Sequence, residues 1–235
     1  MGGRRSLADV PMTRTPLIQC RALPLVVTSA ALICLYPLVP SGGAASIVPI
    51  LVMVLFVVSG VLMLRGTLRR LLVSVSMGFF AVVANVATAT WASAEGAELT
   101  GAAASVPFFA ILSWHALQYA MYGAAETNDR LLAACASYLQ LGLLWSGVHA
   151  AIEIALPGAY VAAHSDSIRW QELIYFSYTT LTTLGYGDIA PRVPLAQAAS
   201  CFEAVTGVCF LAFVVARVLI PARESALPDE AATEA

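Results

Sequence analysis

The residues with the clearest chemical potential lie in the stretch 182–188, which reads TTLGYGD. A cation that has lost its water needs a ring of oxygen atoms instead, and backbone carbonyls supply that ring only when successive carbonyls point the same way. Such a backbone needs dihedral angles that most residues resist, and Gly185 and Gly187 permit them. Thr183 could add a hydroxyl oxygen at the inner end, and Asp188 would add negative charge where the loop meets water. The stretch is therefore suited to binding a dehydrated cation.

Together with the segments on either side, this stretch resembles the pore unit of the potassium channel family, which consists of an outer helix, a pore helix, a selectivity filter and an inner helix. The resemblance covers roughly residues 131–220. Leu184 stands where valine is commoner, a conservative change because the carbonyl is the ligand. A simple glycine turn between two membrane helices is the alternative, which the order of motif and helices disfavours. By resemblance, potassium is bound by Thr183, Leu184, Gly185, Tyr186 and Gly187, with ions held at the first four of these.

The resemblance also implies a set of residues that support the filter. These are Tyr175, Phe176, Thr179, Thr182 and Asp188. Tyr175 and Phe176 stand where related channels have an aromatic pair behind the filter, and we predict a hydrogen bond from Tyr175 to Asp188. Ordinary packing of one helix face is the alternative for both aromatics. Some relatives have an acidic residue in place of Thr179, so a pair of carboxylates beside the filter is in doubt here.

The composition indicates a membrane protein. The 235 residues are 60% hydrophobic and 11% charged, with a mean hydropathy of +0.82, whereas soluble domains average about 25% charged residues. Six apolar segments each approach the roughly 20 residues that a spanning helix needs. They are 22–39, 47–64, 71–91, 105–125, 131–156 and 194–220. Segment 168–181 is amphipathic and too short to span, as expected for a pore helix, with Ser167 as its predicted N-cap.

These segments predict an all-α membrane protein. Six transmembrane helices would carry a re-entrant pore helix and filter loop between the fifth and the sixth. One filter supplies a quarter of the carbonyl ring, so the resemblance implies a tetrameric pore. The predicted domains are an N-terminal tail (1–21), a four-helix transmembrane bundle (22–125), a pore domain (131–220) and a short C-terminal tail (221–235).

The arginines predict the orientation in the membrane. With six spans and one re-entrant loop, ten of the twelve basic residues fall on the side of the two termini. The ten are Arg4, Arg5, Arg14, Arg21, Arg65, Arg69, Arg70, Arg130, Arg217 and Arg223. The positive-inside rule then places both termini in the cytoplasm and the filter mouth outside, in a multi-pass protein of the plasma (cell inner) membrane. A signal peptide cleaved within 41–46 is the alternative, but the apolar run before it is long for one.

The last apolar segment contains two further features. Gly207 lies where related channels have a gating hinge; a glycine that permits close helix packing is the alternative. By resemblance, Val208, Leu211 and Val215 would line the cavity below the filter. Glu203 is an ionisable residue within a span, which is costly and usually functional. We predict that it hydrogen-bonds to the pore helix or to His149; alternatively it stays protonated and only packs.

The predicted function is passive, potassium-selective conduction across the plasma membrane. The fourth apolar segment contains no arginine or lysine, so voltage dependence should be weak. The expected partners are three further copies of the chain, the lipid bilayer and potassium as the permeant ion, with no cofactor and no nucleic acid. A non-selective cation channel, which Tyr186 disfavours, and a non-conducting regulatory subunit are the alternatives. An enzyme is not expected, because Ser146 and His149 lack an oxyanion hole and a glycine-framed serine.

Overall fold

The computed structural model consists of helices joined by short connections. It describes residues 20–36, 47–63, 68–91, 94–122, 127–163 and 167–224. In chain order the elements are α1 (Leu23–Leu35), α2 (Ile47–Met63), α3 (Leu68–Trp91), α4 (Ala94–Ala104), α5 (Val106–Tyr122), α6 (Thr127–Ala155), β1 (Tyr160–Ala162), α7 (Trp170–Leu181), β2 (Ile189–Pro191) and α8 (Pro194–Glu224). Apart from 20–21 and 221–224, the predicted tails lie outside the described residues, as does the alternative cleavage site at 41–46.

Every predicted apolar segment contains a helix. By length and composition, Leu99–Tyr122, Thr127–Ala155 and Pro194–Val214 are long and apolar enough to cross a membrane. Three more helices are apolar but shorter, namely Leu23–Leu35, Leu51–Met63 and Leu72–Ala87. The architecture therefore fits an all-α membrane protein. The count of six spans and the tetramer remain predictions.

Two sequence-based expectations about local structure were wrong. No helix was predicted between the apolar segments 71–91 and 105–125, but this part of the chain contains the helix α4, which packs against α6. Ser167 is not the N-cap of α7, because the cap is Arg169 and the helix begins at Trp170. The Arg169 backbone N–H donates to the Glu172 carboxylate at 2.8 Å. This side chain satisfies an amide at the helix start that would otherwise lack a partner.

Helix α6 is the centre of the packing. At its first turn, the buried Asp129 carboxylate accepts hydrogen bonds from the Ala22 amide at 2.9 Å and the Tyr119 hydroxyl at 2.5 Å. These bonds connect the starts of α1 and α6 to the end of α5. At the other end of α6, a second apolar cluster joins α6 to α7, α8 and both strands; it includes Ile152, Leu173 and Ile189. The candidate site lies next to this second cluster, at the end of α7.

Candidate functional site

The TTLGYGD stretch folds back onto the end of α7. The amides of Leu184 and Gly185 both donate to the Thr179 carbonyl, at 2.8 and 3.1 Å, and the Thr183 amide donates to Thr180 at 2.9 Å. Within the described residues, the carbonyls of 183–187 accept no hydrogen bond. A backbone carbonyl away from water needs a partner. These oxygens are therefore available to a ligand, while the amides of 183–185 are already paired.

The backbone of the stretch alternates in handedness. Thr183, Gly185 and Gly187 have positive φ values of 59°, 51° and 80°, whereas Leu184 and Tyr186 between them do not. Left- and right-handed helical conformations are near mirror images, so an alternating sign of φ allows successive carbonyls to point towards the same side. Among the described residues, Thr183 is the only non-glycine with positive φ. A β-branched residue in this region is strained, and such strain concentrates at functional sites.

The two predicted aromatic supports point in different directions. Tyr175 lies beside the filter, where its ring is parallel to that of Tyr186, with centroids 6.4 Å apart and an interplanar angle of 1°. The Tyr175 hydroxyl interacts with the Asp188 carboxylate through the predicted hydrogen bond. Phe176 is buried on the other side of α7, where it meets the rings of His149 and Tyr160 edge-on. Only Tyr175 contacts the filter in the way that an aromatic cuff requires.

The two threonines among the predicted supports bond within their own helix. The Thr179 hydroxyl donates to the Phe176 carbonyl at 2.9 Å, and the Thr182 hydroxyl donates to Tyr178 at 2.6 Å. The backbone of Thr179 is the part that contacts the filter, since its carbonyl accepts two filter amides. Its side chain therefore takes no part in a carboxylate pair.

A small antiparallel sheet closes the outer side of the site. Tyr160 pairs with Pro191 and Ala162 pairs with Ile189. Next to the sheet, the Ala163 amide donates to the Asp188 carbonyl at 2.9 Å. The segment before α7 is thereby joined to the segment that follows the filter. The sequence did not predict this sheet, since strands of three residues carry no measurable periodicity.

The predicted residues of α8 differ in their surroundings. Gly207 packs against the last residue of α7: a Cβ there would lie 2.0 Å from the Leu181 carbonyl oxygen. This gives the close-packing interpretation a specific cause, while the gating hinge stays a prediction. Val208 and Leu211 are exposed in the single chain. The side chain of Val215 lies outside the described part of the structure.

Glu203 makes both of the hydrogen bonds that were predicted as alternatives. Its Oε2 lies 2.8 Å from His149 Nε2, and its Oε1 lies 2.5 Å from the hydroxyl of Ser177 on α7. Glu203, His149 and Ser177 are completely buried. Sequence reasoning missed Ser177 and also Tyr160, whose hydroxyl lies 2.6 Å from His149 Nδ1. No sequence spacing could have indicated that Tyr160 and Ser177 lie beside His149 and Glu203, because these residues are far apart along the chain.

Comparison with known proteins assigns a class to this part of the chain. Residues 147–224 match a family model described as ion channel. The match begins inside α6 and ends with α8, so it contains α7, the filter stretch and Glu203. No curated protein and no solved structure matches the chain. The family match and the apolar helices support a multi-pass membrane protein with ion channel activity.

Proposed function

We propose that this protein is a potassium-selective channel that conducts K⁺ passively through a pore formed by four identical chains. The observation that carries the proposal is the alternating backbone at Thr183, Gly185 and Gly187, together with the unpaired carbonyls of 183–187. Rings of such carbonyls replace the hydration shell of potassium in channels of this kind. Cation binding is further favoured by Asp188 at one end of the stretch. At the other end lies the C-terminus of α7, which carries partial negative charge.

The exposed surface of the single chain supports the tetramer. Leu184 is 56% exposed and Tyr186 is 68% exposed. Irregular backbone at membrane depth is tolerated only where protein buries it or where it lines a wet cavity. Three further copies around a closed axis would supply both conditions, since each would present the same stretch to the centre. On this proposal, the exposed Val208 and Leu211 line the cavity below the filter, with Val215 further along α8.

The membrane and the orientation are part of the same proposal. The arginine distribution supports cytoplasmic termini and a filter mouth on the outside of the plasma membrane. Thr183 to Tyr186 would hold the ions, and Tyr175 and Asp188 would hold the outer end of the filter. Gly207 would act either as a hinge or as a contact point between α7 and α8.

Reconstitution in liposomes tests the selectivity. With potassium and sodium gradients set independently, the reversal potential should shift by about 59 mV for each tenfold change in the potassium gradient, the value for a single-charge carrier. The reversal potential should not change when only the sodium gradient is changed. A reversal potential that follows the sum of both ions would instead indicate the non-selective channel. Protein that forms tetramers but conducts nothing would indicate the regulatory subunit.

The same preparation tests the expected weak voltage dependence. Helix α5 contains no arginine or lysine along Val106–Tyr122. Moving one elementary charge through 100 mV supplies about 2.3 kcal/mol, so a helix without charges contributes little to gating. We expect the conductance–voltage curve to correspond to no more than about one elementary charge per chain. A steep curve that requires several charges per chain would contradict this.

A further inference from the structure

A buried chain of hydrogen bonds runs behind the filter, and the conduction proposal does not use it. It starts at Tyr160 on β1, whose hydroxyl lies 2.6 Å from His149 Nδ1, and continues 2.8 Å from His149 Nε2 to Glu203 Oε2. From Glu203 Oε1 it continues 2.5 Å to the Ser177 hydroxyl, which lies 2.7 Å from the Gly142 carbonyl. This series of hydrogen bonds therefore joins β1, α6, α7 and α8, and all of its side chains are buried.

Counting hydrogens determines which groups carry a proton. A serine hydroxyl has one hydrogen and a carbonyl can only accept, so Ser177 must donate to Gly142 if that contact is a hydrogen bond. Glu203 Oε1 must then be the donor to Ser177, which requires a protonated carboxyl group. Neutral His149 can donate from Nε2 to Glu203 and accept at Nδ1 from Tyr160. All four contacts are satisfied in one direction and every group is uncharged.

The charged arrangements leave contacts unsatisfied. If Glu203 is ionised, the single Ser177 hydrogen faces two acceptors, so either the contact with Glu203 or the contact with Gly142 is not a hydrogen bond. If His149 is also protonated, both of its nitrogens donate, and the Tyr160 hydroxyl no longer has an acceptor there. A buried charge pair must also overcome the loss of hydration of both ions. In the part of the chain that the structure describes, no arginine forms an ion pair with Glu203.

The surroundings favour the same uncharged state. Tyr138 on α6 and Tyr178 on α7 are the other titratable groups near enough for the Glu203 charge to act on them, and neither supplies a positive charge. At the outer end, burial raises the pKa of Tyr160, and the Glu153 carboxylate acts in the same direction. Its hydroxyl therefore keeps the hydrogen that it donates to His149.

We propose that Glu203 is a permanently protonated positioning residue, and that the Tyr160–His149–Glu203–Ser177 chain is an uncharged strut for both ends of the filter. Ser177 lies on α7, whose C-terminal carbonyls hold the filter amides. Tyr160 lies on β1, which pairs with the strand directly after Asp188. The strut therefore fixes both flanks of the filter to α6 and α8. Its effect on conduction rests on the proposed function, whereas the protonation of Glu203 does not.

Two substitutions of Glu203 test the strut. In Glu203→Gln, the amide can donate to Ser177 and its oxygen can accept from His149, so the tetramer, the melting temperature and most of the potassium flux should be retained. Glu203→Leu fills a similar volume but leaves His149 and Ser177 without their partner, and the flux should fall about tenfold, as for one unsatisfied buried polar group. Loss of assembly or flux in Glu203→Gln equal to that in Glu203→Leu would overturn the proposal.

Glu153 provides a matched control. Its two carboxylate oxygens accept backbone N–H bonds, Oε1 from Gly158 at 2.7 Å and Oε2 from Tyr160 at 3.1 Å. Glu153→Gln therefore places an amide N–H against a donor. We therefore expect Glu153→Gln to lower the melting temperature of the protein more than Glu203→Gln does, although Glu153 is only partly buried and Glu203 is completely buried. The reverse order would mean that Glu203 is the ionised residue.

Infrared spectroscopy of purified protein in deuterated buffer gives a readout that needs neither conduction nor a well-folded variant. Wild-type protein should show the carbonyl band of a buried carboxylic acid at neutral pH, and Glu203→Gln should lack it. Absence of the band from the wild-type spectrum would overturn the proposal whatever the behaviour of the variants. If the wild type carries the band but conducts no potassium, the proposed function fails while the protonation of Glu203 stands.

Discussion

On the proposed function, alanine at Gly187 or Gly185 should abolish the potassium current of the reconstituted tetramer. Both glycines have positive φ, 80° and 51°, and an added Cβ would meet no atom within 4 Å at either position. The cost is therefore purely conformational, about 1–2 kcal/mol for each residue held in the left-handed region, and it recurs in every chain around the ring. We expect the backbone to relax out of the alternation. Because the carbonyls then no longer face one side, the measured flux should fall to that of empty liposomes.

Gly158 is the control for this experiment. It also has positive φ, 82°, and no atom within 4 Å of an added Cβ, but it lies in the turn between α6 and β1. Gly158→Ala carries the same strain outside the filter, so its current should stay close to that of the wild type. Equal losses in all three variants would mean that general destabilisation, and not carbonyl orientation, explains the effect. An unchanged current in Gly187→Ala would refute the role given to the alternating backbone.

Gly207→Ala should remove the folded, assembled protein. The new Cβ would lie 2.0 Å from the Leu181 carbonyl oxygen and 3.0 Å from its carbonyl carbon. Both are backbone atoms at the end of α7, and that end also holds the filter amides, so the collision cannot be relieved by turning a side chain. Overpacking in well-packed interiors typically costs about 1–3 kcal/mol, and here the contact recurs in each chain. Size-exclusion chromatography and the melting temperature in detergent measure the loss.

These measurements separate the two interpretations of Gly207. If the glycine serves close packing, Gly207→Ala lowers the melting temperature and reduces the tetramer fraction. If it serves only as a hinge, both stay normal and only the open probability falls. Val208→Ala is the control, since it alters the next residue of α8 at an exposed position without adding any atom. It should leave the melting temperature unchanged.

The sequence predicted the features that depend on local patterns. The apolar runs became helices close to their predicted bounds because length and composition determine them. The TTLGYGD stretch directly follows α7, the helix that lies in the predicted amphipathic segment 168–181. The helix α4 was missed because Ala94–Ala104 consists mainly of small residues without an apolar face. The cap of α7 was misassigned because Ser167 has the right chemistry but Glu172 satisfies the first amide from inside the helix.

The parts of the site that could not be predicted depend on contacts between distant segments. Glu203 was recognised as unusual because ionisable groups within apolar helices are rare, and His149 and the pore helix were weighed as its partners. Ser177 and Tyr160 look ordinary in the sequence, and only the crossing of α6, α7 and α8 brings them to Glu203 and His149. Likewise, nothing near Gly207 in the sequence indicates that this glycine packs against the Leu181 carbonyl.

Because β1 pairs with β2, backbone hydrogen bonds close the segment that contains α7 and the 182–188 stretch into a loop. The chain enters at Tyr160, passes through α7 and the filter, and leaves at Pro191 opposite its starting point. The 182–188 stretch cannot separate from α7 starting at one end only, because the segment before α7 is hydrogen-bonded to the segment after the stretch. Detachment of the 182–188 stretch from α7 at both ends would have to open the strand pair as well, so we expect the stretch and the sheet to separate in one concerted step.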